Sequence, residues 1–381
     1  MRARSFHAKA DADRWKAKAE NESQQGEFLD PRLGRVALAE YIEDHWLPAR
    51  HDDPATRRTI HGRLGHIQAL LGATSLNAIR VQQLRLFVME LQARVGPSTA
   101  HEVWGYLSAI LQAAVDDERI RKNPCKTKSI QLPKIPERVV QPCSRDRIAA
   151  ARSALPERFR VMVDVGVGVG LRQGEVFGLA EDDIDTANEL IHVRRQVKKI
   201  GAKLVFALPK GGKVRSVPAP PYLLQQLKTH MEAHPPKKVT LPWSDPAEPE
   251  NEREARERAP QTFALVFSSA RGLAVRRDSF DTRSWKPALA AAGVIPAPER
   301  VRQGARGRAV LKYEAAPADG FHVLRHTFAS VQLHARETIV AVSKWLGHAD
   351  PSITLRVYAH MMPEADGRGR TAMQAWFEAN L

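Results

Sequence analysis

The chain has 381 residues, 43% of them hydrophobic, which is enough for two or three domains with buried cores. Its 58 Lys and Arg residues against 43 Asp and Glu give a formal charge of +15, which favours a polyanionic partner, above all nucleic acid. The two distant cysteines, Cys125 and Cys143, and the absence of a long apolar run argue against a disulfide scaffold, a zinc site, a signal peptide and a membrane span, and we expect a cytoplasmic protein.

The first third of the sequence predicts a helical domain. Residues 1–28 are polar and form an N-terminal arm, with a short amphipathic helix as one alternative. In residues 29–123 apolar side chains recur at helical spacing, predicting four helices near 36–47, 56–71, 81–93 and 99–118. This region carries basic residues that could contact a nucleic acid: Arg57, Arg58 and Arg63.

Residues 124–142 are interpreted as a linker. The segment contains four prolines, which keep a chain extended. Its lysines Lys126, Lys128 and Lys134 suit a strap that crosses a phosphate backbone, although a solvated linker would have a similar composition.

From residue 143 to 381 the pattern is mixed. Ser144 is a suitable helix N-cap, and 158–169 predicts an apolar helix. Residues 189–197, 203–209 and 213–218 predict a small antiparallel sheet, with a hairpin through Gly211 and Gly212. Residues 234–262 and 297–319 are expected to be irregular, the first as a mobile surface insertion, and helices resume at 321.

The run VGVGVGLRQGE, residues 165–175, is glycine-rich but fits no nucleotide-binding loop. A dinucleotide motif would need glycine where Leu171 or Gln173 stands, and no Gly-Lys-Ser/Thr ending is present. The run instead predicts a tight turn that presents Arg172, with Glu175 three residues later to orient it.

The segment FHVLRH places His322, Arg325 and His326 on one helix face. A zinc site is the alternative, but Val323 stands where a metalloprotease has its glutamate, and a guanidinium would repel a cation. Donors of this kind suit an anionic oxygen better.

The segment WLGH predicts a helix that ends at Gly347, with His348 just beyond it and Asp350 capping the next helix. On that helix Ile353 and Val357 are expected to face inward and Tyr358 to point away from them, although simple packing of the tyrosine is an alternative. Lys210 lies on the shoulder of a β-turn, where an isolated lysine often has no function.

In this order, the motifs GLRQGE, the turn lysine, HVLRH, LGH and the tyrosine ten residues later resemble those of the tyrosine recombinase, or phage integrase, family. The resemblance implies a mainly α fold with a small antiparallel β-sheet (α+β): a helical core-binding domain followed by a catalytic domain with a C-terminal tail. It also implies DNA strand exchange through a 3′-phosphotyrosyl intermediate, without metal, ATP or another cofactor. Two features depart from the family pattern: the insertion at residues 234–262, and the short N-terminal arm, which resembles the remnant of an arm-binding domain without its sheet.

The resemblance also implies residue roles. The catalytic set would be Arg172, Lys210, His322, Arg325, His348 and the nucleophile Tyr358. Glu175 and His326 would hold these groups in position. Expected partners are double-stranded DNA attachment sites of a phage or other mobile element, a homotetramer joined through residues 371–381, and a host bending protein or directionality factor. A Xer-like resolvase, a type IB topoisomerase and a non-catalytic DNA-binding regulator are the alternatives.

Overall fold

A computed structural model gives the architecture of the chain. It describes residues 8–10, 13, 17, 30, 32–136, 141–302, 307, 309–314, 317–362 and 367–379, so most of the predicted N-terminal arm lies outside the described residues. The chain divides into two compact units, Met1–Glu137 and Arg138–Leu381, and the division falls inside the range interpreted as a linker. In the described part of the chain, no helix is both long and apolar enough to cross a membrane.

The first unit is helical, and its helices follow the predicted ones closely. A short helix continues into a π-helical turn, Ile42–Trp46, and three longer helices follow it. They are α1 (Leu38–Tyr41), α2 (Pro54–Leu71), α3 (Val81–Arg94) and α4 (Pro97–Asp116). Leu64, Phe87 and Leu107 are among the side chains that fill the core, since each faces inward at helical spacing.

The second unit contains the remaining helices. Ser144 caps its first helix by accepting a hydrogen bond from the backbone N–H of Arg147 (3.4 Å). The helices are α5 (Arg145–Ala154), α6 (Glu157–Val169), α7 (Gln173–Phe177), α8 (Pro221–Ala233), α9 (Glu252–Glu257), α10 (Arg277–Phe280), α11 (Lys286–Ala291), α12 (His322–His334), α13 (Ile339–Leu346), α14 (Pro351–Tyr358) and α15 (Arg368–Ala379). Helices α6 and α12 pack together in the centre of the hydrophobic core.

Its strands form small antiparallel sheets. The strands are β1 (Ile184–Asp185), β2 (Leu190–Val193), β3 (Gln196–Ile200), β4 (Lys203–Ala207), β5 (Arg215–Pro218), β6 (Lys237–Leu241), β7 (Gln261–Leu265), β8 (Glu299–Arg302) and β9 (Ala309–Lys312). They pair in the orders β1-β2-β5, β3-β4, β6-β7 and β8-β9. The expected α+β fold class is therefore confirmed, with several small sheets in place of one.

The predicted hairpin between residues 203–209 and 213–218 is wrong. Strand β4 pairs with β3, and β5 pairs with β2, where Ile191 lies opposite Val217. The run 189–197 breaks into β2 and β3 at Arg194 and Arg195, because Arg195 turns inward to a buried ion pair with Asp183 (2.6 Å). The chain therefore leaves one sheet and enters another where continuous strand character was expected.

The expectation of irregular structure in residues 234–262 and 297–319 is also wrong. Strand β6 pairs with β7, with Val239 opposite Phe263, and α9 occupies part of the connection between them. The Phe263 ring packs edge-on against Phe206, with centroids 5.0 Å apart, which ties this pair of strands to the domain core. The second stretch contains the β8–β9 hairpin.

Candidate active site

The glycine run ends α6 and begins the site. Gly170 adopts a left-handed conformation (φ 63°), and a Cβ there would collide with the ring of Phe328. The chain then turns into α7, where the backbone N–H of Arg172 donates to Glu175 Oε2 (2.9 Å) and its Nη1 donates to Oε1 (2.9 Å). The turn thus presents Arg172 with a carboxylate fixed behind its guanidinium.

The C-terminal end of α13 is the centre of the site. Gly347 is left-handed (φ 62°), and the N–H groups of Gly347 and His348 return to the carbonyls of Lys344 and Ser343. Each of the next three carbonyls accepts a hydrogen bond from a different arginine: Trp345 from Arg215 Nε (2.6 Å), Leu346 from Arg325 Nη2, and Gly347 from Arg172 Nη2 (3.3 Å). Because the last carbonyls of a helix lack partners within the helix and carry negative partial charge, this helix end can gather cations.

Arg325 is the most deeply buried of these arginines. Its side chain comes from α12, has 1% of its surface exposed, and also donates from Nη1 to the carbonyl of Gly170 (2.8 Å). It therefore joins α12 to the turn after α6 and to the end of α13. Burial and the charge of Arg172 lower its pKa to about 9, which still leaves the guanidinium protonated at neutral pH.

Glu175 connects two of the arginines. It is 1% exposed and accepts bonds from Arg172 on one side and from Arg215 Nη1 (3.0 Å) and Nη2 (2.7 Å) on the other. Burial alone would raise the pKa of this carboxyl, but the hydrogen bonds and charges of Arg215 and Arg172 outweigh burial and lower it. The carboxylate is therefore ionised and holds both guanidiniums in place.

Tyr358 lies inside the site, which corrects the predicted orientation of α14. The buried face of this helix carries Thr354 and Tyr358, which are 0% and 2% exposed, whereas Ile353 and Val357 are only half-buried. The Tyr358 hydroxyl lies 2.7 Å from His326 Nδ1. Burial raises its pKa to about 12, although the charges of Arg325 and Arg172 act in the opposite direction. The phenol is therefore protonated at neutral pH.

The other two histidines are held neutral. His348 Nδ1 lies 2.7 Å from the hydroxyl of Thr354, which fixes the ring beside the arginines. Burial and nearby positive charges lower the pKa values of His322 and His348 to about 4. His322 lies at the exposed edge of the site, where its ring packs edge-on against His326 with centroids 4.8 Å apart. Both rings can accept a proton once a negatively charged group binds beside them.

The structure therefore brings together all but one of the expected catalytic side chains. The exception is Lys210, which is exposed on the loop between β4 and β5 and has no bond to the site among the described residues. Sequence reasoning missed Arg215 and Thr354. A signal for Arg215 was present, because it stands two residues before buried Val217 in β5 and so shares its inward face.

The candidate DNA-contacting cations of the first unit are on its surface. Arg57 and Arg58 are exposed on α2, whereas Arg63 is held by Glu102 (2.8 Å). Lys126, Lys128 and Lys134 are exposed in the segment that follows α4.

Comparison with known proteins decides the family. A sequence model described as the phage integrase family matches residues 144–364, which contain every side chain of the site. The chain belongs to the phage integrase family. It is a tyrosine recombinase, an enzyme that breaks and rejoins DNA strands.

Several integrases are similar to this family member. The prophage phiRv2 integrase of Mycobacterium tuberculosis is 27% identical over 283 residues, covering 72% of this chain and 73% of the relative. A XerC-like tyrosine recombinase of Caldanaerobacter subterraneus is 26% identical over 280 residues, covering 68% of this chain and 61% of that protein.

Solved integrase structures share the fold. The Tn1549 transposon integrase in complex with circular intermediate DNA matches with a TM-score of 0.65 at 16% identity, covering 90% of this chain and 100% of that one. A lambda integrase tetramer bound to a Holliday junction matches with a TM-score of 0.59 at 15% identity, covering 95% and 90%. Among the described residues of this integrase, no three His, Cys, Asp or Glu side chains lie close enough together to hold a metal ion.

Proposed function

We propose that this recombinase acts at defined DNA sites, integrating or excising a phage or other mobile element, with Tyr358 as its nucleophile. The observation that carries the proposal is the convergence of the Arg172 and Arg325 guanidiniums and the His348 ring at the end of α13, with the buried Tyr358 phenol on His326 and the His322 ring against His326. Fixed guanidiniums are suited to the charge that builds on the non-bridging oxygens of a phosphodiester under attack.

The reaction would take place in two balanced steps. The Tyr358 oxygen bonds to the scissile phosphorus, the bond from phosphorus to the 5′ oxygen breaks, and Lys210 supplies a proton to that oxygen. The 5′-hydroxyl of a partner strand then attacks the 3′-phosphotyrosyl bond and releases the tyrosine. One phosphodiester is exchanged for another, so the bond energy is kept and no ATP is required.

Proton movement from the phenol is the demanding part of the first step, because burial raises the pKa of Tyr358 to about 12. His322 and His348 are neutral and can accept a proton or donate a hydrogen bond to phosphate. An incoming phosphate offsets the arginine charges that lower their pKa values, so substrate binding itself raises their basicity. His326 holds the phenol through its 2.7 Å contact.

Duplex DNA is the proposed substrate, and a tetramer the proposed active assembly. The lambda integrase relative is a tetramer on a Holliday junction, and the Tn1549 integrase is bound to transposon DNA. Helix α15 presents Met373, Trp376 and Phe377 at 52%, 57% and 49% exposure, an apolar surface that a second copy could cover. Deleting residues 368–381 should abolish synaptic complexes on native gels while leaving single-site binding, and unchanged synapsis would refute this assignment.

The test of function uses a nicked suicide substrate, in which the short fragment that carries the newly freed 5′-hydroxyl diffuses away after cleavage and so traps the covalent 3′-phosphotyrosyl intermediate. The native chain should give a protein–DNA adduct on a denaturing gel, and Tyr358→Phe should bind the same DNA without forming one. Tyr313→Phe is the matched control and should behave as the native chain. An adduct in the Tyr358→Phe protein would remove this tyrosine from its role.

A second assay separates the recombinase from its alternatives. A type IB topoisomerase would relax supercoiled plasmids that lack a specific site, whereas a site-specific recombinase needs its sites. A Xer-like resolvase would act on paired chromosomal or plasmid sites instead of an attachment site beside the gene. Binding without any adduct would favour the non-catalytic regulator.

A further inference from the structure

We infer that Arg215 is a positioning residue for strand cleavage, which fixes Arg172, His348 and the base of the Lys210 loop together. The inference rests on the proposed function and extends it to a side chain outside the catalytic set.

The contacts of Arg215 reach three separate parts of the site. Its Nη1 and Nη2 form a two-pronged ion pair with Glu175 at 3.0 and 2.7 Å, and Glu175 in turn bonds the backbone and side chain of Arg172. Its Nε donates to the carbonyl of Trp345 at 2.6 Å, three residues before His348. Each of these three nitrogens therefore donates to a group that orients a catalytic side chain.

The position of Arg215 in the chain adds a third link. It is the first residue of β5 and follows Lys210 by five residues, so it ends the exposed loop that carries this lysine. Its side chain is 5% exposed, whereas Lys210 is an exposed residue. A loop with one anchored end can reach a leaving group while its base remains fixed.

Gly347 shows how closely the arginine is packed. A Cβ at Gly347 would lie 3.1 Å from Arg215 Cδ and Nη1, so the guanidinium lies directly against the turn that presents His348. A displaced Arg215 would leave both that turn and Glu175 without their support. Small errors in the position of reacting groups cost roughly 100-fold in rate.

A purely structural ion pair is the competing explanation, and the chain provides a matched control for it. Arg195 and Asp183 form another buried pair in the same unit, 4% and 2% exposed and 2.6 Å apart, and among the described residues their further contacts include Gly178, Ala180 and Phe263, outside the site. Removing either pair should lower stability, since a buried carboxylate loses a partner. Only the Arg215 variant should also impair cleavage.

The experiment compares Arg215→Lys, Arg195→Lys and the native chain in single-turnover cleavage of the suicide substrate at saturating protein. Arg215→Lys keeps the charge but loses the planar fork, and we expect a loss of about 100-fold in cleavage rate with DNA affinity within about twofold. Arg195→Lys should cleave at close to the native rate at a comparable thermal midpoint.

A substrate with a neutral methylphosphonate at the scissile position gives a cleavage measurement that does not depend on the stability of the fold. Removal of the phosphate charge reduces the need for a well-placed Arg172, so the deficit of Arg215→Lys should shrink on this substrate, as should that of Arg172→Lys. If Arg215→Lys does not fold, Glu175→Asp, which shortens the same contact from the other side, should show the same deficit and the same rescue.

Native-rate cleavage by Arg215→Lys, or an equal loss in Arg195→Lys, would overturn the inference. An undiminished deficit on the methylphosphonate would also overturn it. These results are distinct from failure of the proposed function, in which the native chain itself forms no adduct with either substrate.

Discussion

The two units of the chain use positive charge in opposite ways. In the helical unit Arg57 and Arg58 extend into solvent, where their charges act at a distance and are screened by salt. In the second unit Arg325 and Arg215 are 1% and 5% exposed, and their donors are bonded to carbonyls and to Glu175. The first kind of cation is suited to attracting DNA, and the second to stabilising charge at one fixed phosphorus.

Arg172→Lys should separate the two uses of positive charge most clearly. The lysine keeps one positive charge but cannot bond Glu175 and the Gly347 carbonyl together. Since the loss of one preorganised donor costs about 100- to 1,000-fold in rate, we expect single-turnover cleavage to fall by that factor with DNA binding kept. Arg194→Lys, at a surface ion pair with Asp182, is the control. A fall in affinity that matched the fall in rate would show that Arg172 only binds DNA.

The helical unit should give the converse result. Replacing Arg57 and Arg58 together by glutamine should lower the slope of log affinity against log salt by about 1.8 and weaken binding about tenfold at moderate salt. Cleavage at saturating protein should not change. Arg63→Gln should have a smaller effect, because Glu102 already neutralises that arginine. If the salt slope is the same for the native chain, the double variant and Arg63→Gln, the DNA does not contact these arginines.

A smaller effect is expected where a single hydrogen bond orients a histidine. Thr354→Val keeps the shape of this buried side chain but removes the hydroxyl 2.7 Å from His348 Nδ1. Cleavage should slow by about tenfold, given that a positioned acid or base contributes about 100-fold or more. Thr327→Val removes a buried hydroxyl whose bonds within the described residues go to the backbone of Cys143 and Val323, and it should leave the rate unchanged. If Thr354→Val cleaved DNA as fast as Thr327→Val, the orientation of His348 would not matter for cleavage.

The mildest prediction concerns acid stability. His348 has a pKa of about 4 when folded and about 6.5 when unfolded, so between these values the unfolded chain binds more protons. Its contribution to stability is present above pH 6.5 and is lost as the pH falls towards 4. The urea midpoint of the native chain should therefore drop between pH 7 and pH 5, and His348→Gln should drop less. An equal drop would show that this histidine titrates normally.

The two units also differ in how far their sequence predicts them. Helices α2 to α4 follow apolar periodicity, a local signal, and their predicted ends lie within a few residues of the observed ones. In the second unit the helix ends at Gly170 and Gly347 were predictable from local chemistry, as was the cap at Asp350. The catalytic residue types could be named because their motifs resemble a family.

What could not be predicted depends on long-range contacts. The pairing of β5 with β2 is set by residues more than 20 positions apart, and no local turn signal encodes it. The inward face of Tyr358 depends on His326, 32 residues away, which offsets the cost of burying a hydroxyl. Arg215 was missed for a related reason, since its partners Glu175 and Trp345 lie 40 and 130 residues away.

Mass spectrometry can identify the residue that becomes linked to DNA. Trypsin cuts after Arg356 and Arg368, so the peptide 357–368 contains Tyr358 as its only tyrosine. After suicide-substrate trapping and nuclease trimming, mass spectrometry should find the nucleotide mass on this peptide, with fragment ions that place it on Tyr358. The same mass on another tyrosine, or on a serine, would contradict the assignment of Tyr358 as the nucleophile.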